Sequence, residues 1–90
     1  MNRAPAWCRS IIWTADSSRV AFLITDNRLF VFDSRTAQRV AQLRLVAIDG
    51  YPGSEAARNV AFTGDGRAVT FDRTDRWTQK WLSRETVRLP

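Results

Sequence analysis

Histidine is absent from this chain of 90 residues, and cysteine, methionine, lysine and tyrosine each occur once. Without histidine the commonest general base near neutral pH is missing, so neither a Ser-His-Asp nor a Cys-His arrangement can be assembled. The single Cys8 cannot close an internal disulfide, and its expected role is that of a small buried hydrophobe. A metal centre needs clustered ligands; Asp72 and Asp75 flank a turn but carry no ligand-loop signature. The expectation is a non-enzymatic chain with no cofactor, no metal and no small-molecule substrate. Long hydrophobic runs are also missing: none approaches the ~20 residues of a transmembrane helix. Residues 1–7 contain no apolar segment of the secretory kind, which leaves a cytoplasmic location as the default and no membrane partner. Glycine and proline are sparse, with four and three copies. Gly50, Pro52 and Gly53 fall together in one loop, so elsewhere the turns must be made by other residues.

What is present is apolar and basic. Hydrophobic residues make up 44% of the chain, and four Trp, five Phe and one Tyr supply large side chains for a modest core. That content argues against disorder, and the length suits a single domain spanning 1–90. The net charge is +5, and Lys80 is the one lysine among fourteen basic residues. Guanidinium groups fork onto phosphates and stack on aromatic rings better than ammonium groups do, so the balance makes an acidic partner worth considering.

The organising feature is an ungapped internal repeat at an offset of 49. Trp13-Thr14-Ala15-Asp16-Ser17-Ser18-Arg19-Val20 falls on Phe62-Thr63-Gly64-Asp65-Gly66-Arg67-Ala68-Val69. The same offset pairs Arg9 with Arg58, Phe22 with Phe71, Thr25-Asp26 with Thr74-Asp75, Phe32 with Trp81, Ser34-Arg35 with Ser83-Arg84, and Arg39 with Arg88. A repeat of this kind is one supersecondary unit used twice. Within each copy, short apolar runs alternate with polar turn clusters: Ser10–Trp13, Val20–Ile24, Leu29–Phe32 and Arg39–Ile48, then Asn59–Phe62, Ala68–Phe71, Trp77–Leu82 and Thr86–Leu89. This predicts an all-β chain of eight strands in two consecutive four-stranded antiparallel meanders, with no helix beyond a turn at Ala56-Ala57. The first repeat runs over about 9–48, a linker over 49–57, and the second repeat over about 58–90. Asp16, Asp26, Asp65 and Asp75 recur at turns, where aspartate bonds its own backbone. Asp65-Gly66 is a two-residue hairpin signal requiring a positive φ at Gly66, whereas Ser17-Ser18 should turn differently.

The turn segments resemble a known family. Phe62-Thr63-Gly64-Asp65-Gly66-Arg67 is similar to the F-S-P-D-G-K/R opening of β-propeller blades of the WD40 and TolB-like kind. Trp13–Phe22 resembles its W-S-P-D-G-x-R-I-A-F form, and Val31–Gln38 resembles the V-W-D-x-x-T-G-K turn that ends the third strand of such blades. The likeness covers 9–48 and 58–89. Both copies lack the proline, Ala37 stands where the turn glycine would be, and the G-H signature of WD40 repeats is excluded by the missing histidine. The resemblance implies blade structure and carries no binding residue over. Propellers have roughly four to eight blades. Two are therefore expected to close by oligomerisation, to form part of a longer propeller, or to stack on one another.

Side-chain alternation suggests where partners bind. Val20, Phe22 and Ile24 share one face of the second strand, Ala21 and Leu23 the other; Phe30 and Phe32 oppose Leu29 and Val31. The expected core is Ile11, Trp13, Val20, Phe22, Phe32, Val60, Phe62, Val69, Phe71 and Trp81, paired by the offset of 49 and set on one face by alternation. It leaves Leu23, Leu29 and Val31 at the centre of an outward surface for a protein partner or self-association. In the second repeat Val69, Phe71, Trp77 and Trp81 are expected on one face, with Thr70, Asp72, Thr78 and Lys80 on a polar one. The expected function is that of a protein-protein interaction or scaffold module. One alternative is nucleic-acid binding by Arg73, Arg76, Trp77, Lys80 and Arg84, cations for phosphates beside an aromatic for bases. A small oligomeric lectin is a further alternative.

Overall fold

In a computed structural model the chain is all-β, and the structure describes residues 8–24, 27–46 and 55–90. Seven strands are present among them: β1 (Cys8–Trp13), β2 (Arg19–Ile24), β3 (Arg28–Asp33), β4 (Arg39–Arg44), β5 (Glu55–Phe62), β6 (Ala68–Asp75) and β7 (Trp81–Arg88). They form two antiparallel meanders, a four-stranded sheet in the order β1-β2-β3-β4 and a three-stranded sheet in the order β5-β6-β7. No described helix exists, and none is long and apolar enough to cross a membrane. Residues 1–7 and most of the 49–57 linker lie outside the described residues. The linker's end does not: Glu55, Ala56 and Ala57, expected in a loop or helical turn, open strand β5.

The second meander has three strands where four were expected, and the turns explain why. The β1–β2 and β5–β6 turns match at the offset of 49. In the first, the Thr14 N–H donates to the Arg19 carbonyl at 3.0 Å and the Thr14 hydroxyl to Asp16 Oδ1 at 2.8 Å. In the second, Thr63 N–H donates to Ala68 at 2.9 Å and its hydroxyl to Asp65 Oδ1 at 2.6 Å. The β3–β4 turn, by contrast, reappears at β6–β7 with an offset of 42, from Asp33 to Asp75. Asp33 Oδ1 accepts from the Arg35 and Thr36 N–H groups at 2.8 and 3.0 Å, and Asp75 Oδ1 from Trp77 and Thr78 at 2.9 and 2.8 Å. Ala37 and Gln79 then take left-handed φ values of 61° and 62°. Strand β6 therefore begins like β2 and ends like β3: one hairpin of the first repeat has no counterpart in the second. Trp77, expected in a strand, sits in this turn, and 81–88 is one strand.

Gly66 has the positive φ expected of it, 71°, and Ser17 shares it at 62°, so the first repeat turns as the second does. The Asp–Thr hydrogen bonds hold the shape without glycine, at some cost for a residue bearing Cβ.

The two sheets bury one cluster between them. Ala21, Leu23, Leu29 and Val31 of the first sheet meet Ala57, Val60, Val69 and Phe71 of the second, with Leu45 and Val46 closing one end. The expected orientation of the first sheet is thus reversed. Leu23, Leu29 and Val31 are interior, at 2%, 0% and 0% exposure, whereas Ile11 and Trp13 are 56% and 55% exposed and Phe22 and Phe32 are half-buried. Trp81, also expected in the core, is exposed, and Phe62 is half-buried; Val20, Val60, Val69 and Phe71 are buried as expected. The small Ala21 and Ala57 make the physical reason clear: they let the sheets approach closely enough for Phe71 to fill the space, which a face carrying Trp13, Phe22 and Phe32 would not.

Asn27 ties the sheets together. It is buried, with φ 68°, and its side-chain amide serves the free edge of β5 as a neighbouring strand would. Its Nδ2 donates to the Glu55 carbonyl at 3.3 Å, and its Oδ1 accepts from Ala57 N–H at 3.1 Å. Its own carbonyl accepts from Leu45 N–H at 2.9 Å. Without those bonds a buried strand edge would be left unsatisfied.

Candidate interaction surface

The antiparallel register places the outer face of the first sheet. Trp13 pairs with Val20, Val20 with Phe32, Ile11 with Phe22, and Phe22 with Phe30. Directly opposed residues share a face, so these side chains form one apolar surface on the side away from the core. Phe22 and Phe32 meet edge to face with centroids 5.7 Å apart, and the Arg28 guanidinium lies 5.4 Å from the centroid of Phe30. Val20 is buried beneath its larger neighbours although it is not part of the central cluster. A groove of about 280 Å³ runs between Trp13, Val20, Phe22 and Phe32, walled by Asp33, Ser34 and Ala37. Ser34 in the wall is pinned: its N–H and Oγ donate to the Ser18 and Ser17 carbonyls at 3.0 and 2.6 Å, joining two turns at the same end of the sheet.

The outer face of the second sheet is polar, as expected for Thr70 and Asp72. Asp72 is its hub, accepting from Asn59 Nδ2 at 2.8 Å, Trp81 Nε1 at 3.3 Å and Arg84 Nη1 at 2.9 Å. The Asn59 bond, with those of Trp81 and Arg84, holds the Asp72 carboxyl below the usual carboxylate range. Thr78 and Lys80, expected on this face, lie in the β6–β7 turn.

The five residues considered for nucleic acid do not form one face. Arg73 points the other way from Asp72, its Nε and Nη2 forking onto Glu55 at 2.9 Å each and its Nη1 lying 3.5 Å from Glu85. The Glu55 hydrogen bonds raise the Arg73 pKa and lower that of Glu55. Arg84 is held by Asp72 and by the Thr70 hydroxyl at 3.3 Å. Arg76, Trp77 and Lys80 lie in the turn, where Trp77 is exposed. Cys8, expected to be buried, is exposed at the start of β1. Among the described residues no three His, Cys, Asp or Glu side chains come together as a metal-binding group.

No protein-family model matches the chain, and no curated protein matches it. At the offset of 49, Ile11, Trp13, Val20 and Phe22 correspond to Val60, Phe62, Val69 and Phe71, which face the core. Both repeats thus have an aromatic-rich face of the same kind. The second repeat's is covered by the Ala21–Leu23–Leu29–Val31 face of the first, and the first repeat's is open. Sequence alternation identified the two faces but not which was open, because both are apolar.

Proposed function

We propose that this chain is a non-enzymatic, WD40-like propeller-type repeat module that binds a protein partner through the outer face of its first sheet. The observation that carries this reading is the head-to-tail stacking of the two repeats. The aliphatic face of one repeat packs on the aromatic-rich face of the next, an interface of the heterologous kind that leaves a further face of each type at the ends. One end, around Trp13, Phe22 and Phe32, keeps the chemistry of a face that is buried elsewhere in the same molecule. Contiguous apolar surface of this sort marks an interaction site. The other end has Thr70 and Asp72 where the aliphatic face has Ala21 and Leu23, so it does not complement the open face of a second copy. The partner surface is accordingly a β-sheet face bearing small and medium aliphatic side chains, supplied by another protein.

Copying that chemistry onto the polar end tests the reading. Thr70→Ala with Asp72→Leu gives the second sheet an Ala21/Leu23-like outer face. This double variant is expected to associate head to tail, its light-scattering mass rising in multiples of 10.3 kDa with concentration. Adding Phe22→Asp should return the wild-type mass. A folded double variant that keeps the wild-type mass at every concentration refutes the proposal.

A further inference from the structure

Most carboxylates of the second sheet are taken: Glu55 by Arg73, Asp72 by Arg84, and Asp75 by the N–H groups of its own turn. Arg9 and Arg58 stand at the β1–β5 seam, and Arg76 just beyond the start of β5, without a share in them. Arg9 stands in β1, and Arg58, its counterpart in the repeat, stands in β5. Arg76 follows Asp75, which pairs with Glu55 at the start of β5. Arg9 Nη1 reaches the Oδ1 of Asn27 at 3.4 Å, the same oxygen that accepts from Ala57 N–H beside Arg58. Arg58 Nε is buried with no hydrogen-bond partner among the described residues. None of the three forms an ion pair with a described residue. Burial, then the charges of Arg58 and Arg76, lower the Arg9 pKa.

Guanidinium groups held near one another repel, and an unpaired N–H donor out of water costs free energy. A multiply charged oxyanion among them would remove both costs, because phosphate oxygens match the planar fork of arginine. We propose that Arg9, Arg58 and Arg76 form an oxyanion site at the seam of the two sheets that takes a phosphate group. The site is independent of the apolar docking face and uses only Arg76 of the residues considered for nucleic acid. Phosphate here is either free or part of a polynucleotide backbone, and the ligand arms of the test separate the two.

The test is the melting temperature, followed by tryptophan fluorescence, in chloride buffer with added inorganic phosphate or a thymidine hexanucleotide at matched ionic strength. At about ten times its Kd the ligand should raise the wild-type Tm by about 5–10 °C. Arg58→Gln and Arg76→Gln should each lose most of that rise. In chloride alone Arg76→Gln should melt no lower than wild type, because it removes a repelling charge. Arg76 lies in a turn, so that variant decides the matter if Arg58→Gln does not fold. A response to phosphate alone assigns the site to the free ion; a response to the hexanucleotide as well extends it to a backbone. Absence of any rise over chloride, or an equal rise in wild type and Arg76→Gln, overturns the proposal.

Discussion

Phe71 and Phe22 occupy the same place in the repeat and differ in what covers them, so truncating each measures the cover directly. Phe71 is 1% exposed and packs within the central cluster. Phe71→Ala removes a fully buried ring and leaves a cavity between sheets that cannot readily close, at a cost of about 3–5 kcal/mol. Phe22 is half-buried, so only part of its area leaves water on folding. Its partial burial contributes roughly half of the ~1.5–3 kcal/mol of a fully buried ring. Its edge-to-face contact with Phe32 adds about 0.5–1.5 kcal/mol. Phe22→Ala should therefore cost about 1–3 kcal/mol, below its counterpart. Urea unfolding followed by circular dichroism, at a concentration where the chain is monomeric, gives both values from the shift in midpoint if the slope is unchanged. The reasoning fails if Phe22→Ala costs as much as Phe71→Ala. That outcome would mean the face around Trp13 and Phe32 is already closed in the monomer, and with it the docking proposal would fall.

Other consequences can be checked in the same way. Asn27→Ala removes the amide that satisfies the β5 edge and places alanine at φ 68°, so a loss of about 2–4 kcal/mol is expected; a loss under about 1 kcal/mol would show that water replaces the side chain. Gly66→Ala should destabilise by about 1 kcal/mol or more, since φ is 71° and a Cβ would sit 3.3 Å from Thr14 Cγ2. Ser17→Ala, with its positive φ already present in the native protein, should cost less, and Ala37→Gly should raise Tm by relieving the strain at φ 61°. The Asp16 carboxyl is pushed down to about 2, first by the Ser18 N–H and hydroxyl and then by the Thr14 hydroxyl. A depressed carboxylate stabilises the fold above its unfolded pKa of about 4 and loses that contribution as pH falls through about 2. Acid titration should thus show stability declining over that window, less steeply in Asp16→Asn; identical slopes would remove Asp16 from the account.

The sequence by itself determined the strand-and-turn grammar. Thr14 with Asp16 and Thr63 with Asp65 set two turns of one kind, and Asp33 with Thr36 and Asp75 with Thr78 set two of another, because each is built from hydrogen bonds within six residues. The second pair recurs at an offset of 42, whereas the longer match at 49 predicts an eighth strand. The polar face of Thr70 and Asp72 was also legible, since only water or polar partners suit such residues. Which apolar face of the first sheet lies inside was not, because a period of two separates the faces without ranking them. That choice belonged to packing between residues far apart in the chain: Ala21, Leu23, Leu29 and Val31 share one buried cluster with Val69 and Phe71. The seam was equally a tertiary matter. Asn27 looked like a turn residue, and Arg9 and Arg58 like a repeat match. Only the approach of β1 to β5 made the first a bridge between sheets and brought the other two to one seam.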